Sequence, residues 1–190
     1  LNSRVSGLLQ AKDNVGQGGL AVEAALVGLD AIEDLTNQLK SLALSVRGAS
    51  AEGRLAAAEQ FDVLREQITS LANDAGLNGG SLIGANPSDL NVAVNEVGAT
   101  VTIAGAASDA AGLGISTAAG SFNNFATDAN IDAAIEQLNS AIVSIRSRAQ
   151  GFGSSVASLQ IRSNFIDDLT QTLDAGAAKL VNADLNEEAA

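Results

Sequence analysis

The chain has 190 residues, 22 acidic and 10 basic, for a formal net charge of −12. It contains no Cys, His, Trp, Tyr or Met. These absences exclude a disulfide framework, a thiol nucleophile, cysteine-ligated zinc, an HExxH site and any His-dependent triad. The acidic balance disfavours nucleic acid and anionic membrane surfaces, which need clustered Lys and Arg. A hydrophobic fraction of 46% with only 5 Phe implies a core of Ala, Leu, Ile and Val packed in long helices. No membrane-spanning apolar run and no signal peptide are read from the sequence. The start at Leu1 without Met reads as a fragment.

Leu1, Val5 and Leu8 open an apolar stripe. Val15, Val22 and Leu29 step by heptads, and Ile32, Leu39 and Val46 do so again, with Leu35 and Leu42 beside them. The change between these rows reads as a frame shift of the coiled-coil type. Gly48 to Gly53 reads as a loop. A second helix follows, with Leu55, Phe61, Leu64, Ile68 and Leu71 on one face.

The middle changes character from Asn78, where Gly, Asn and Pro87 cluster. Leu90–Glu96 and Ala99–Gly105 are β-branched and roughly alternating, so they read as a hairpin about Val97-Gly98. GLGIS, ending at Ser116, is a candidate third strand, and residues 117–130 read as a loop.

The last third carries the clearest pattern. Ile131, Leu138, Ile145, Phe152, Leu159, Ile166, Leu173 and Leu180 recur every heptad. Ile135, Ile142, Ala149, Val156, Ser163, Thr170 and Ala177 accompany them. A helix over 131–180 would be about 75 Å long and needs partner helices to bury its stripe. Asp128 and Asn130 are its candidate caps, and Gly151 and Gly153 weaken it by roughly 1 kcal/mol each. The expected fold is mainly α: a long antiparallel helical coiled-coil rod with a small β-hairpin insertion. Segments 1–83 and 130–190 form the rod, and 84–129 is a short variable segment.

No catalytic, cofactor or metal site emerges. Asp167-Asp168 and Glu187-Glu188 are helix neighbours pointing about 100° apart, so neither is an acid/base dyad. GLGIS and GQGG lack the spacing of nucleotide-binding loops, and no calcium-ligand series occurs. An enzyme is the least favoured class.

Several runs resemble the bacterial flagellins. GLLQA (Gly7–Ala11), Asn14, Gly18, Leu29 and Ile32 match, and LKSLALS (Leu39–Ser45) is similar to the family's VRELAVQ. LNG (Leu77–Gly79) resembles an FNG turn, and KLVNADLNEE (Lys179–Glu188) resembles SRIEDADYATE, with Ala183, Asp184 and Glu188 identical. The resemblance covers residues 1–83 and 131–190, and it implies an extracellular filament subunit for motility, exported through the flagellar apparatus. Its partners would be further copies of itself and flagellar export, capping or junction proteins, with terminal polymerisation helices missing here.

The same resemblance places an innate-receptor-binding helix at Asn37, Gln38, Lys40, Ser41 and Leu42. Gln38 and Ser41 replace the family's Arg and Glu, which disfavours receptor recognition. It also makes Ser108, Ser116, Thr117 and Ser121 candidate O-glycan acceptors on a hairpin-bearing surface knob. A hook–filament junction protein and a secreted coiled-coil adhesin are the alternatives.

Overall fold

A computed structural model describes residues 2–77 and 79–188, with side-chain surroundings described through residue 181. Leu1, Asn78 and the side chains of Ala183, Asp184, Glu187 and Glu188 lie outside that description. The main elements are α1 (Asn2–Ser45), α2 (Ala51–Asp74), β1 (Gly76–Leu77), β2 (Gly80–Ser81), β3 (Leu90–Ala93), β4 (Thr100–Ile103), α3 (Ala118–Ser121) and α4 (Asp128–Glu188). The fold is mainly α, as the periodicity requires. Long helices dominate, and the strands form two small antiparallel ribbons.

Contacts divide the chain into two compact units that cut across the sequence segments. The first comprises Leu1–Leu20, Leu90–Ile103 and Ser154–Ala190; the second comprises Ala21–Asp89 and Ala104–Gly153.

In the first unit the β3–β4 hairpin pairs Leu90 with Ile103 and Ala93 with Thr100. Its turn is built by Asn95, whose Oδ1 accepts from the N–H groups of Val97 (3.1 Å) and Ala99 (2.8 Å). Gly98 completes the turn at φ +87°, a conformation that disfavours any side chain. The hairpin is not a projecting knob. It lies against α1, where a Cβ on Gly18 would come within 2.6 Å of Val92, and one on Gly7 within 2.8 Å of Glu96. Val92, Val94 and Ile103 are buried as a result.

In the second unit α2 starts at Ser50, whose side chain accepts from Gly53 N–H. Phe61 and Ile68 are buried with Ala57, Ala58 and Ala72, whereas Leu55 is exposed and Leu64 and Leu71 are half-buried. The β1–β2 ribbon that follows has no counterpart in the sequence expectations. It pairs Gly76 with Ser81 and Leu77 with Gly80.

The candidate third strand is instead a turn-rich segment. Leu113 and Ile115 N–H groups donate to the carbonyls of Asp109 and Ala110. The segment is clasped by Arg148, which donates to the carbonyls of Ala107 and Gly112 and to Ser108 Oγ. Desolvation by the clasp lowers the Arg148 guanidinium pKa, partly offset by nearby Asp109. Ser108 is fully buried here, so it is not a surface acceptor for a glycan. Thr117 is engaged as well, because its Oγ1 accepts from Gly120 N–H at the start of α3.

The stretch expected to be a loop holds α3 and a 3₁₀ turn, Asn123–Phe125. Asn123, Asn124 and Phe125 all have left-handed φ, at 43°, 51° and 59°. For Phe125 that conformation costs about 1–2 kcal/mol. Aromatic packing offsets it: Phe125 meets Phe61 edge-on at 5.3 Å, and Phe122 meets the same ring at 6.4 Å. Arg54 adds a hydrogen bond to the Phe125 carbonyl (3.1 Å) and an ion pair with Asp128 (2.6 Å).

The cap of α4 is neither Asp128 nor Asn130 alone. Thr127 Oγ1 accepts from Asn130 N–H, and Asn130 Oδ1 accepts in return from Thr127 N–H. This is the reciprocal arrangement of a capping box, with Asn in the third helical position.

Candidate functional site

The chemistry of this chain lies in its helix seam. Along α1 the inward positions are Leu8, Ala11, Val15, Gly18, Val22, Ala25, Leu29, Ile32, Thr36, Leu39, Ala43 and Val46. Steps of three and four alternate without interruption, which is one heptad frame throughout. The expected frame shift is therefore absent. Ile32 and Leu39 are the companion row of Val22 and Leu29, and all four are fully buried. The companion row gives little periodic signal at its start, where Ala11, Gly18 and Ala25 occupy it, and Thr36 and Ala43 weaken the end of the leading row. Leu42 falls beside the rows and is half-buried.

On α4 the leading row is buried at Ile131, Leu138, Ile145, Phe152, Leu159 and Ile166. Early in the helix the companions are Ala134 and Ala141, and Ile135 is only half-buried; Ile142 is buried at 8% exposure. Val156 and Leu173 are half-buried, and Leu180 is 63% exposed. Each fully buried Leu or Ile contributes about 1.5–3 kcal/mol relative to exposure.

Ion pairs between α1 and α4 show how the helices run. In the second unit Glu33 pairs with Arg146 (2.6 Å), and Arg47 pairs with Asp132. Two heptads forward on α1 match two heptads back on α4, so the helices are antiparallel. In the first unit Lys12 pairs with Asp167 at 2.6 Å, three heptads before Glu33 and three heptads after Arg146. The signs alternate along each helix. Large slips of register therefore bring like charges together. The hydrogen bond to Glu33 raises the Arg146 pKa.

The helix resembling a receptor-binding surface has Asn37, Gln38 and Ser41 exposed, with Lys40 and Leu42 half-buried. Ser41 turns its hydroxyl back onto the Asn37 carbonyl at 3.0 Å. Among the described residues no group of three or more metal-ligating side chains occurs. By length and composition α1 is apolar enough to cross a membrane, which differs from the expectation of no membrane-spanning apolar run. Its apolar residues Val22, Leu29, Ile32 and Leu39 are nonetheless spent on the seam.

Comparison with known proteins decides the family. A flagellin of Caulobacter vibrioides, FljM, is 30% identical over 191 residues, covering 99% of this chain and 68% of that protein. The chain belongs to the flagellins. A second Caulobacter vibrioides flagellin, FljO, is 30% identical over 94% of this chain and 65% of its own length. A Brucella melitensis flagellin is 25% identical over 94% of this chain and 66% of its own length. This flagellin chain thus spans about two thirds of the length of these relatives. No family model matches. The crystal structure of Bacillus cereus flagellin shares the fold, with a TM-score of 0.67 at 18% identity over 80% of this chain and 88% of that one.

Proposed function

We propose that this chain is the rod-forming part of a structural subunit of the extracellular flagellar filament, assembling with copies of itself for motility. The supporting observation is similarity to curated flagellins along nearly the whole chain. The physical basis is the antiparallel packing of α1 against α4 within each unit, with a single heptad frame along α1. Export through the flagellar apparatus, and contact with its capping and junction proteins, follow from the same reading. So does a structural rather than catalytic role.

The test is to delete the gene in its host and count subunits in purified flagella. Loss or thinning of the filament, restored by complementation, supports the reading. A few copies confined to the base would make the protein a junction component instead. We also infer weak activation of the innate receptor, since Gln38 and Ser41 present no charge on the exposed face of α1. Full-length protein matching a strongly sensed flagellin in a cell reporter assay would overturn that inference.

A further inference from the structure

Phe61, Phe122, Phe125 and Phe152 are buried, whereas Phe165 is 60% exposed on α4. Ile161, one turn earlier, is 68% exposed. At about 100° per residue, Ile161 points about 140–160° away from Leu159 and Ile166, and Phe165 about 100–120° away, so both stand off the seam. Adjacent large apolar side chains on an outward helix face mark a contact surface. Arg162 lies between them in sequence and forms no ion pair among the described residues.

In the second unit, α1 and α2 leave a groove of about 400 Å³ between Ala31, Leu35 and Leu71, edged by Asp34, Gln67 and Ser70. That is on the order of a dozen waters' worth of space, enough for large side chains. Asp34 is the charged residue on its rim, and it has no ion-pair partner among the described residues.

We propose that Ile161 and Phe165 of one copy of this chain dock into the α1–α2 groove of a second copy, with Arg162 meeting Asp34. The proposal rests on the filament-subunit reading and names one contact within it. Charge supports this occupant. Copies carrying −12 each repel, so a contact between them gains by setting a free cation over an acid. Shape supports it too, since a helix ridge fits a groove, whereas two ridges meeting would leave the groove empty. Patch and groove are different surfaces, so each copy offers both and the contact propagates as an open chain.

The chain contains no Cys, so introduced thiols report cleanly. Filaments of the full-length protein carrying Leu35→Cys with Phe165→Cys are sheared from cells and oxidised. A ladder of multimers from the double variant, absent from either single variant, is expected. Normal filaments without a ladder overturn the contact and leave the subunit reading intact. Dimers from Phe165→Cys alone assign like-with-like packing and also overturn it. Absence of the chain from filaments overturns the subunit reading and the contact together.

Asp34→Arg and Arg162→Asp each raise the critical concentration for assembly by at least about tenfold, and the double reversal recovers it. Circular dichroism matching wild type separates this from misfolding. A double reversal no better than the singles in folded protein overturns the contact.

Discussion

Arg146 holds a single oxygen of Glu33 with two of its nitrogens, Nε at 2.9 Å and Nη2 at 2.6 Å. The pair joins α4 to α1 on the flank of the seam, with side-chain exposures of 67% and 23%. Its gain in net stability is small at such exposure, because solvent screens it. Its greater effect is on alignment, because Arg47–Asp132 repeats the contact with the signs exchanged. Glu33→Arg should lower the thermal midpoint by a few degrees, and Arg146→Glu should do the same. The double reversal should recover most of the loss. Recovery that disappears in high salt would confirm a screened Coulomb origin.

The long C-terminal helix was legible because its leading row carries large apolar residues every heptad, from Ile131 to Ile166. The α1 seam was only half legible. Ala11, Gly18, Ala25, Thr36 and Ala43 are as inward as Leu29, but small or polar residues give little periodic signal. The register between α1 and α4 was invisible, since it depends on which of 22 acids meets which of 10 bases. The Thr127 cap was hidden for a local reason: its partner is Asn130 rather than the expected Glu or Gln. The Arg148 clasp binds mainly backbone carbonyls, which carry no residue-type signature. The receptor-like surface was legible only by resemblance, since nothing in its geometry distinguishes it from any exposed helix face.

The glycines of α1 divide into two kinds, and alanine substitution should separate them. Gly16 and Gly19 have open space where a Cβ would stand. Gly16→Ala and Gly19→Ala should each stabilise the folded chain by about 0.5–1 kcal/mol through helix propensity. Gly28 is different, because a Cβ there would lie 2.3 Å from the Ala75 Cβ and 2.8 Å from Ile83. Gly28→Ala should cost about 1–3 kcal/mol through overpacking. Urea unfolding of the three variants would test this, and equal effects at all three would contradict the packing described.

Removing the aromatic anchor should release the left-handed turn. Phe61 is fully buried and meets both Phe122 and Phe125. Phe61→Ala should cost about 3–5 kcal/mol. Hydrogen exchange should accelerate first at the Phe125 and Ala126 amides, whose bonds to Phe122 and Asn123 carbonyls close the turn.

Acid should loosen the hairpin from α1. The Glu96 carboxyl pKa is lowered, first by its own backbone N–H and then by the side-chain bond to Arg4 at 2.5 Å. A carboxylate whose folded pKa lies below its unfolded value contributes stability above the unfolded pKa. That contribution is lost as pH falls through the folded value. The loss should therefore begin in the ordinary carboxylate range and finish below it. Amide exchange around Val97 should speed up over that acidic window, and Glu96→Gln should remove this pH dependence.

The first unit should open before the second, and Thr170 explains part of the difference. Thr170 is 9% exposed on the seam, and among the described residues its hydroxyl has no hydrogen-bond partner. Thr36 occupies a buried seam position in the second unit, but its hydroxyl donates to the Ile32 carbonyl at 2.7 Å. The seam of this unit also carries small or polar groups at several positions: Ala11 and Gly18 on α1, with Ser163 on α4. A buried hydroxyl without a partner costs about 1–3 kcal/mol, so Thr170→Val should recover roughly 1 kcal/mol or more. Thr36→Val, which gives up a satisfied bond along with the hydroxyl, should be close to neutral. Native-state hydrogen exchange should show the amides near Thr170 opening at lower free energy than those near Leu138. Thr170→Val should raise protection there without moving it around Leu138. Equal gains at both places would mean that the seam opens as one cooperative element and that Thr170 is not its weak point.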